Sequence, residues 1–190
     1  MSDTPPPIAG SHRLVVVVGP SGSGKDSLLR GWRAALGAEA PAWAQRVITR
    51  PPDPTEPHEA VTPDDFAGMR RQGVLATWWQ AHGLDYGVRH RALEPLSDGH
   101  WVVLNGSRAH LPALRAQAPG LHVVEVLASA CVLAQRLAER GREDAAARES
   151  RLARAIDAPV AADLALVNDG ALQLCLDELL RWWQRLRETA

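Results

Sequence analysis

Short runs rich in valine and leucine recur along the chain, and small or polar residues follow each of them. A run that is apolar without alternation is typical of a strand buried on both faces of a parallel sheet. Segments with helical spacing separate the runs, as expected for an α/β fold. The predicted sheet strands are Leu14–Val18, Trp101–Leu104, His122–Leu127 and Leu164–Val167, with a further short strand at Val47–Thr49.

Several helix starts have recognisable caps. Thr62 and Pro63, followed by two aspartates, predict a helix to about Arg71, and Ser129 can cap a helix that runs through Arg140. Two short apolar segments around Ala81-His82-Gly83 predict a hairpin, and residues 51–57 are too rich in proline for regular structure. The remaining predicted helices are 27–36, one after 109, one ending near 156 and 171–187. We expect a flexible tail over residues 1–12 and a single domain over residues 13–190.

Composition excludes several classes of protein. The chain has 190 residues, with 21 basic and 22 acidic side chains, so it lacks the global positive field of a nucleic-acid-binding protein. No apolar run approaches the length of a membrane span. Two cysteines without metal-ligand spacing predict a cytoplasmic protein. The sequence gives no indication of oligomeric state.

A glycine-rich loop connects the first predicted strand to the first helix. In such a loop, backbone N–H groups and the start of the helix face a phosphate group, and the lysine reaches the β- and γ-phosphates of a nucleotide. The lysine at this position, Lys25, is the only one among the 21 basic residues. The predicted ATP-binding residues are Gly19, Pro20, Ser21, Gly22, Ser23, Gly24, Lys25, Asp26 and Ser27. The alternative is a glycine-rich turn that binds nothing.

One residue departs from the usual phosphate-loop pattern. Asp26 follows the lysine, where a serine or threonine normally binds Mg²⁺. We predict that Asp26 or Ser27 holds the metal ion instead.

Arginines with helical spacing follow in the second half of the chain. Arg136 and Arg140 are four residues apart, and Arg151 belongs to a second group beyond Gly141. We predict that Arg136, Arg140 and Arg151 neutralise a transferring phosphoryl group, with a lid at about residues 140–151. Arg148 and Arg154 are interpreted as solvated surface residues.

These motifs resemble guanylate kinases in order and spacing. The resemblance rests on the phosphate loop, Thr49-Arg50, Asp85-Tyr86-Gly87, Arg136 to Gly141 and Asn168-Asp169. It implies a P-loop kinase of the nucleoside monophosphate kinase type, with a five-stranded parallel sheet, helices on both faces, an acceptor-binding insertion at about 50–90 and a lid. Two positions at which that family reads guanine with acidic residues are Thr77 and Ser107 here, so GMP is a poor match.

A narrower pattern is similar to the ribose 1,5-bisphosphate phosphokinases of bacterial phosphonate catabolism. It includes Lys25-Asp26, His82 to Val88 and above all Leu104 to Pro112. The resemblance implies transfer of the γ-phosphoryl group of ATP to ribose 1,5-bisphosphate, with Mg²⁺. The residue types then suggest Arg50 and Tyr86 for one phosphate, Arg108 for the other, Asn105 and Ser107 for ribose hydroxyls, His58 as a further acceptor residue and Asn168 for adenine. The alternative roles are an ion pair of Arg50 with Asp53 or Glu56, a core position for Tyr86 and a helix-capping role for Asn168. The alternatives are a guanylate or other small-molecule kinase and a non-catalytic binding module.

Overall fold

A computed structural model describes residues 6–52, 56–139 and 160–189 of the chain. Within these ranges the strands are β1 (Leu14–Val18), β2 (Ala42–Trp43), β3 (Arg46–Ile48), β4 (Glu59–Ala60), β5 (Leu75–Ala81), β6 (Leu84–Arg89), β7 (Val102–Asn105), β8 (His122–Leu127) and β9 (Leu164–Val167). The helices are α1 (Lys25–Leu36), α2 (Pro63–Arg71), α3 (Glu94–Ser97), α4 (Leu111–Gln117), α5 (Ala130–Glu139) and α6 (Leu172–Thr189).

The main sheet has five strands in the order β2-β7-β1-β8-β9. Its outer pairs are parallel, with Ala42 opposite Val102 at one edge and Val124 opposite Leu164 at the other. All five residues of β1 are buried, as its apolar sequence predicts. The predicted α/β class with a five-stranded parallel sheet is therefore confirmed.

The chain divides into two compact units. The first unit contains the residues up to Val15 together with Pro41–His122, and the second contains Val16–Ala40 and the residues from Val123 onward. Each unit has its own packing.

The first unit contains a second, four-stranded sheet in the order β4-β3-β6-β5. Strands β5 and β6 form the predicted hairpin, which turns through His82 and Gly83, both with positive φ. Helix α2 begins at the predicted cap, where the Asp65 amide donates to the Thr62 hydroxyl at 3.1 Å. A buried cluster fills the space beside this sheet, formed by Val47, Phe66, Met69 and Leu75.

In the second unit, helices α1 and α6 pack against each other. The Trp32 and Trp183 rings meet edge to face with centroids 5.2 Å apart, and both side chains are buried. A methyl group on Gly31 would lie 3.3 Å from Leu176, so the glycine allows the helices this close approach. These contacts hold the middle of α1, the helix that follows the glycine-rich loop, against α6.

Some elements differ from the sequence predictions. Strands β2 and β4 and helix α3 were not predicted, and α1 begins two residues earlier than expected. In the predicted tail, the Ile8 amide donates to the Gln117 carbonyl at 2.8 Å, and Ser11–Arg13 forms a 3-10 turn. The lid at 140–151 and the helix predicted to end near 156 lie outside the described residues. Each helix of the described ranges is too short or too polar to span a bilayer.

Candidate active site

The phosphate loop occupies the turn between β1 and α1 in the second unit. Its chain direction changes at three glycines with positive φ, Gly19 at 146°, Gly22 at 88° and Gly24 at 93°. The Ser23 amide closes the turn by donating to the Pro20 carbonyl at 3.3 Å. The loop leads directly into the amino end of α1 at Lys25, where backbone N–H groups lack partners within the helix. This is the curled conformation that the glycine spacing predicts.

The Lys25 ammonium is held by the loop itself. Its Nζ donates to the carbonyl oxygens of Gly19 at 2.8 Å and Pro20 at 2.9 Å. A long cationic side chain held at two points loses less conformational freedom when an anion binds. The ammonium is therefore preorganised at the phosphate loop.

Two of the loop glycines have no room for a side chain. A Cβ atom on Gly19 would lie 2.1 Å from the Val126 carbonyl oxygen, and one on Gly24 would lie 2.3 Å from Nδ2 of Asn168. Both contacts are far inside van der Waals distance, and both positions also have positive φ. Steric contact and backbone conformation therefore require glycine here independently.

Asn168 supports the loop from the end of β9. Its side chain is only 3% exposed, and Nδ2 donates to the Ser23 carbonyl at 2.7 Å. Its backbone amide donates to the Leu127 carbonyl at 2.8 Å, which fixes the residue to the end of β8. This contact with the loop was not foreseen from the sequence, and the predicted contact with adenine remains a prediction.

Of the three predicted phosphate-clamping arginines, the structure describes one. The Arg136 guanidinium projects from α5 toward the loop, with Nη1 3.5 Å from the Gly22 carbonyl oxygen. Arg140 and Arg151 lie outside the described residues. The structure therefore brings Arg136 to the phosphate loop, and its role in phosphoryl transfer stays a prediction.

The two candidate magnesium ligands lie in the first turn of α1. Asp26 and Ser27 are partly exposed, and the Ser27 hydroxyl accepts a 3.4 Å contact from Arg30. A carboxylate and a hydroxyl are hard oxygen donors that fit Mg²⁺, which usually keeps water and phosphate oxygens as its other ligands. Among the residues the structure describes, no three His, Cys, Asp or Glu side chains gather as a metal cluster. A Mg²⁺ ion at this site would have few protein ligands and would take its other ligands from the nucleotide oxygens.

The candidate acceptor residues lie in the first unit and include a charged cluster. Glu56 accepts hydrogen bonds from Arg50, at 2.8 Å, and from Arg46. His58 ring nitrogens lie 2.8 Å from the Glu56 carbonyl oxygen and 3.2 Å from that of Arg50. Among the described residues, two guanidinium groups share the Glu56 carboxylate, an arrangement that leaves positive charge for a phosphate.

Burial and the neighbouring arginines shift the pKa of the Glu56 carboxyl in opposite directions. Burial raises its pKa, but the charge of Arg46 and the hydrogen bond from Arg50 outweigh burial and hold the pKa below the ordinary 4.5. A carboxyl with a lowered pKa stabilises the fold above its unfolded pKa, and this contribution is lost as the pH falls through the folded value.

The Glu56→Gln variant is expected to be less stable at pH 7 by about 1–2 kcal/mol, because a charge-assisted hydrogen-bond network loses its anion. Urea unfolding at pH 7 and at pH 3 measures the effect, and the variant should lose less stability on acidification than the wild type. Glu94, an exposed carboxylate of the same unit, provides the control variant Glu94→Gln. Equal acid sensitivity of Glu56→Gln and wild type would contradict the assignment.

Aromatic rings stack beside this cluster. Tyr86, 9% exposed, stacks on Trp79 with centroids 5.4 Å apart, and Trp79 stacks in turn on His110 at 5.0 Å. The Arg46 guanidinium lies 5.9 Å from the centroid of the Tyr86 ring. The predicted phosphate-binding tyrosine therefore has most of its ring in a packed stack.

The next candidates follow one another at the end of β7. Asn105 is the last residue of the strand, Ser107 precedes a 3-10 turn, and Arg108 begins that turn. All three are partly exposed. Ligands of α/β sheets bind at the carboxyl ends of the strands, so this position agrees with the predicted role in substrate binding.

Thr77 requires a correction. The resemblance to guanylate kinases implies that its hydroxyl would face the base of a nucleotide substrate, but the residue is fully buried. Its hydroxyl donates to Oε1 of Gln117 at 3.0 Å and lies 2.7 Å from Nε2 of His110. Thr77 is therefore part of an internal network and does not line a base site.

Arg46 and Gln117 were not predicted as site residues, whereas the sequence makes His110, like His58, a weak candidate for the acceptor site. Arg46 begins a three-residue strand. Gln117 and His110 contact Thr77 although they lie 40 and 33 residues after it in the sequence. The sequence offered one signal, since His110 lies within the segment Leu104 to Pro112 that carries the family resemblance.

The chain is similar to several curated proteins that are named as kinases. It is 50% identical over 161 residues to the ribose 1,5-bisphosphate phosphokinase PhnN of Acidiphilium cryptum, which covers 84% of this chain and 85% of that one. It is 46% identical over 173 residues to PhnN of Pseudofrankia inefficax, with 90% of each chain covered. A bifunctional ribose 1,5-bisphosphokinase-thymidine phosphorylase of Azorhizobium caulinodans is 46% identical over 151 residues, and this chain spans only 22% of its length.

Solved structures show the fold. A guanylate kinase from Anaplasma phagocytophilum superposes with a TM-score of 0.66 over 96% of this chain and 86% of that one, at 18% identity. A gluconokinase from Sinorhizobium meliloti superposes with a TM-score of 0.53 over 98% and 95% of the two chains, at 21% identity. Comparison with models of protein families gives no match. With relatives of this identity over nearly their full length, the chain belongs to the PhnN ribose 1,5-bisphosphate phosphokinase family.

Proposed function

We propose that this protein transfers the γ-phosphoryl group of ATP to the 1-phosphate of ribose 1,5-bisphosphate, giving 5-phosphoribosyl 1-diphosphate and ADP. The observation that carries the proposal is the similarity to PhnN relatives over 84–90% of the chain. The internal network around Thr77 adds support, because a buried threonine hydroxyl cannot read a guanine base.

The chemistry of this transfer suits the residues of the phosphate loop. The nucleophile is an oxygen of a phosphate that is already anionic, so no general base is needed. Catalysis then depends on alignment of the two phosphates and on neutralisation of their charge. We propose that the loop amides and Lys25 hold the β- and γ-phosphates, and that Arg136, Arg140 and Arg151 neutralise the transferring group. Asn168 is proposed to contact adenine in addition to supporting Ser23.

Magnesium is proposed as the metal cofactor. Asp26 and Ser27 would hold Mg²⁺ at the start of α1, directly or through water. When bound, the ion offsets negative charge on the phosphate oxygens. The remaining charge is neutralised by the lysine and arginine side chains.

The acceptor residues are proposed to bind the two ends of the sugar bisphosphate separately. Arg50 and Tyr86 take one phosphate, with His58 nearby, and Arg108 takes the other. Arg50 then exchanges the Glu56 carboxylate for the substrate phosphate, so that the ion pair at 2.8 Å keeps its guanidinium oriented beforehand. Asn105 and Ser107 are proposed to bind ribose hydroxyls.

The proposed setting is the cytoplasm, as a step of phosphonate catabolism that uses a small-molecule substrate. Cys131 and Cys175 are both free thiols, which fits a reducing compartment.

A coupled assay of ADP release tests the function directly. Ribose 1,5-bisphosphate, GMP and ribose 5-phosphate are offered separately with Mg-ATP, and turnover is expected with the bisphosphate. Strong turnover of GMP alone would show a nucleoside monophosphate kinase, and failure to bind Mg-ATP in calorimetry would show a non-catalytic module.

The Arg108→Ala variant is expected to raise KM for ribose 1,5-bisphosphate about tenfold or more, because one charge-assisted contact with a phosphate is lost. The affinity for ATP should stay unchanged, since Arg108 is assigned to the acceptor. The control is Arg91→Ala in the same unit, which removes a largely exposed guanidinium that pairs with Glu59. Equal loss of affinity for both substrates would contradict the assigned role.

A further inference from the structure

The side chain of His110 has a defined hydrogen-bonding state, which the buried network around Thr77 determines. The Gln117 amide donates from Nε2 to the Ala76 carbonyl at 3.3 Å, so its Oε1 faces Thr77. If the Gln117 amide were flipped, its Oε1 would face the Ala76 carbonyl oxygen, and neither atom could donate a hydrogen bond. The single hydroxyl proton of Thr77 is therefore donated to Gln117, over 3.0 Å.

Because that proton is committed, the Thr77 oxygen can only accept from His110. The two atoms are 2.7 Å apart, so Nε2 of His110 carries the proton. In the neutral imidazole the other nitrogen, Nδ1, is then a hydrogen-bond acceptor. Burial lowers the pKa of His110 below its ordinary 6.5, which keeps the ring neutral at pH 7.

The ring is also held in position. It stacks on Trp79 with an interplanar angle of 17°, and Trp79 is itself fixed by its stack with Tyr86. Nδ1 makes no hydrogen bond with any residue in the described part of the chain, and it is not among the buried polar atoms there that lack a partner. His110 as a whole is half-buried. Nδ1 is therefore an acceptor whose orientation is fixed, on a residue that is partly open to solvent.

The position of His110 along the chain indicates what it accepts from. It ends the 3-10 turn that begins at Arg108, immediately after Ser107 and the end of β7. These are the residues proposed to bind the sugar bisphosphate. Phosphate oxygens at pH 7 are acceptors, so a neutral imidazole acceptor is matched by the hydroxyl groups of the sugar.

We propose that His110 is a specificity-determining residue whose Nδ1 accepts a hydrogen bond from a ribose hydroxyl of the acceptor. The inference rests on the proposed function, because it requires a hydroxylated sugar bisphosphate as substrate. His110 would then distinguish ribose from deoxysugars, because a substrate without the ribose hydroxyl leaves Nδ1 without a hydrogen-bond donor.

Two variants separate recognition of substrate from support of the fold. In His110→Gln the amide can reach the position of Nε2 and donate to Thr77, but the acceptor at Nδ1 is lost. In His110→Asn the shorter amide can replace Nδ1 and the contact with Thr77 is lost. We expect His110→Gln to raise KM for ribose 1,5-bisphosphate about tenfold, with KM for ATP unchanged. His110→Asn should have a KM for ribose 1,5-bisphosphate closer to that of the wild type than His110→Gln has, although its Tm should be lower.

The 2-deoxy and 3-deoxy analogues of ribose 1,5-bisphosphate complete the test. Wild type should discriminate against one of them, and His110→Gln should lose that discrimination. A larger KM effect in His110→Asn than in His110→Gln, or discrimination that survives in His110→Gln, would overturn the inference. A wild type that turns over GMP but not the bisphosphate would overturn the proposed function, and this inference with it.

A measurement on the wild type covers the case in which the variants do not fold. Nitrogen-15 NMR of the histidine ring should show the proton of His110 on Nε2 at pH 7. A proton on Nδ1 would remove the proposed acceptor and overturn the inference.

Discussion

Replacing Lys25 with Met should lower kcat/KM at least about a hundredfold, because the loss removes a preorganised cation that we propose to hold the β- and γ-phosphates. Methionine keeps much of the length of the side chain while removing the charge. It also removes the hydrogen bonds to the Gly19 and Pro20 carbonyls, so ATP affinity should fall as well. Steady-state kinetics with ribose 1,5-bisphosphate and calorimetry with Mg-ATP measure the two effects.

The control for this variant removes a cation from the same helix. Arg33 lies on α1 with its side chain exposed, and Arg33→Met should leave the kinetics unchanged. Circular dichroism melts establish that both variants are folded. Turnover of Lys25→Met at the wild-type rate would show that the loop does not take part in catalysis.

The conformation of the candidate nucleotide-binding loop could be predicted from the sequence because its interactions are mostly local. A buried strand, three glycines that allow positive φ and a lysine at a helix start lie within about a dozen residues. The Thr62 cap and the hairpin turn at His82 and Gly83 are local in the same sense. Such features require little knowledge of the rest of the fold.

The acceptor half was predicted less completely because its contacts join distant positions. Thr77 meets Gln117 and His110 across 40 and 33 residues, and no spacing rule connects them. The ion pair of Arg50 with Glu56 is a contrasting case, because it spans only six positions and the sequence offers it as the alternative role of Arg50. Strands β2 and β4 have two residues each, so their existence depends on their partner strands.

Asn168 shows how a distant residue can complete a local motif. The glycine at position 24 belongs to the motif, yet the atom that forbids a side chain there comes from the end of β9. The same atom, Nδ2, donates to the Ser23 carbonyl at 2.7 Å. The shape of the phosphate loop therefore depends on one amide group 145 positions away along the chain.

The Gly24→Ala variant should lower affinity for Mg-ATP at least tenfold, or about 1.4 kcal/mol. The new methyl group would lie 2.3 Å from Nδ2 of Asn168, and alanine at a φ of 93° adds backbone strain. Gly37→Ala is the matched control, because it also has positive φ but has no atom within 4 Å of the added methyl group. That control should lose some stability and keep its affinity for ATP.

A double-mutant cycle with Asn168→Ala separates steric contact from strain. Asn168→Ala alone should weaken binding of Mg-ATP, because the Ser23 carbonyl loses its hydrogen bond. The double variant Gly24→Ala with Asn168→Ala should bind more tightly than the sum of the two single losses in free energy predicts, since the clash is gone. Strictly additive losses would mean that Gly24→Ala acts through its backbone conformation alone, without a clash with Asn168.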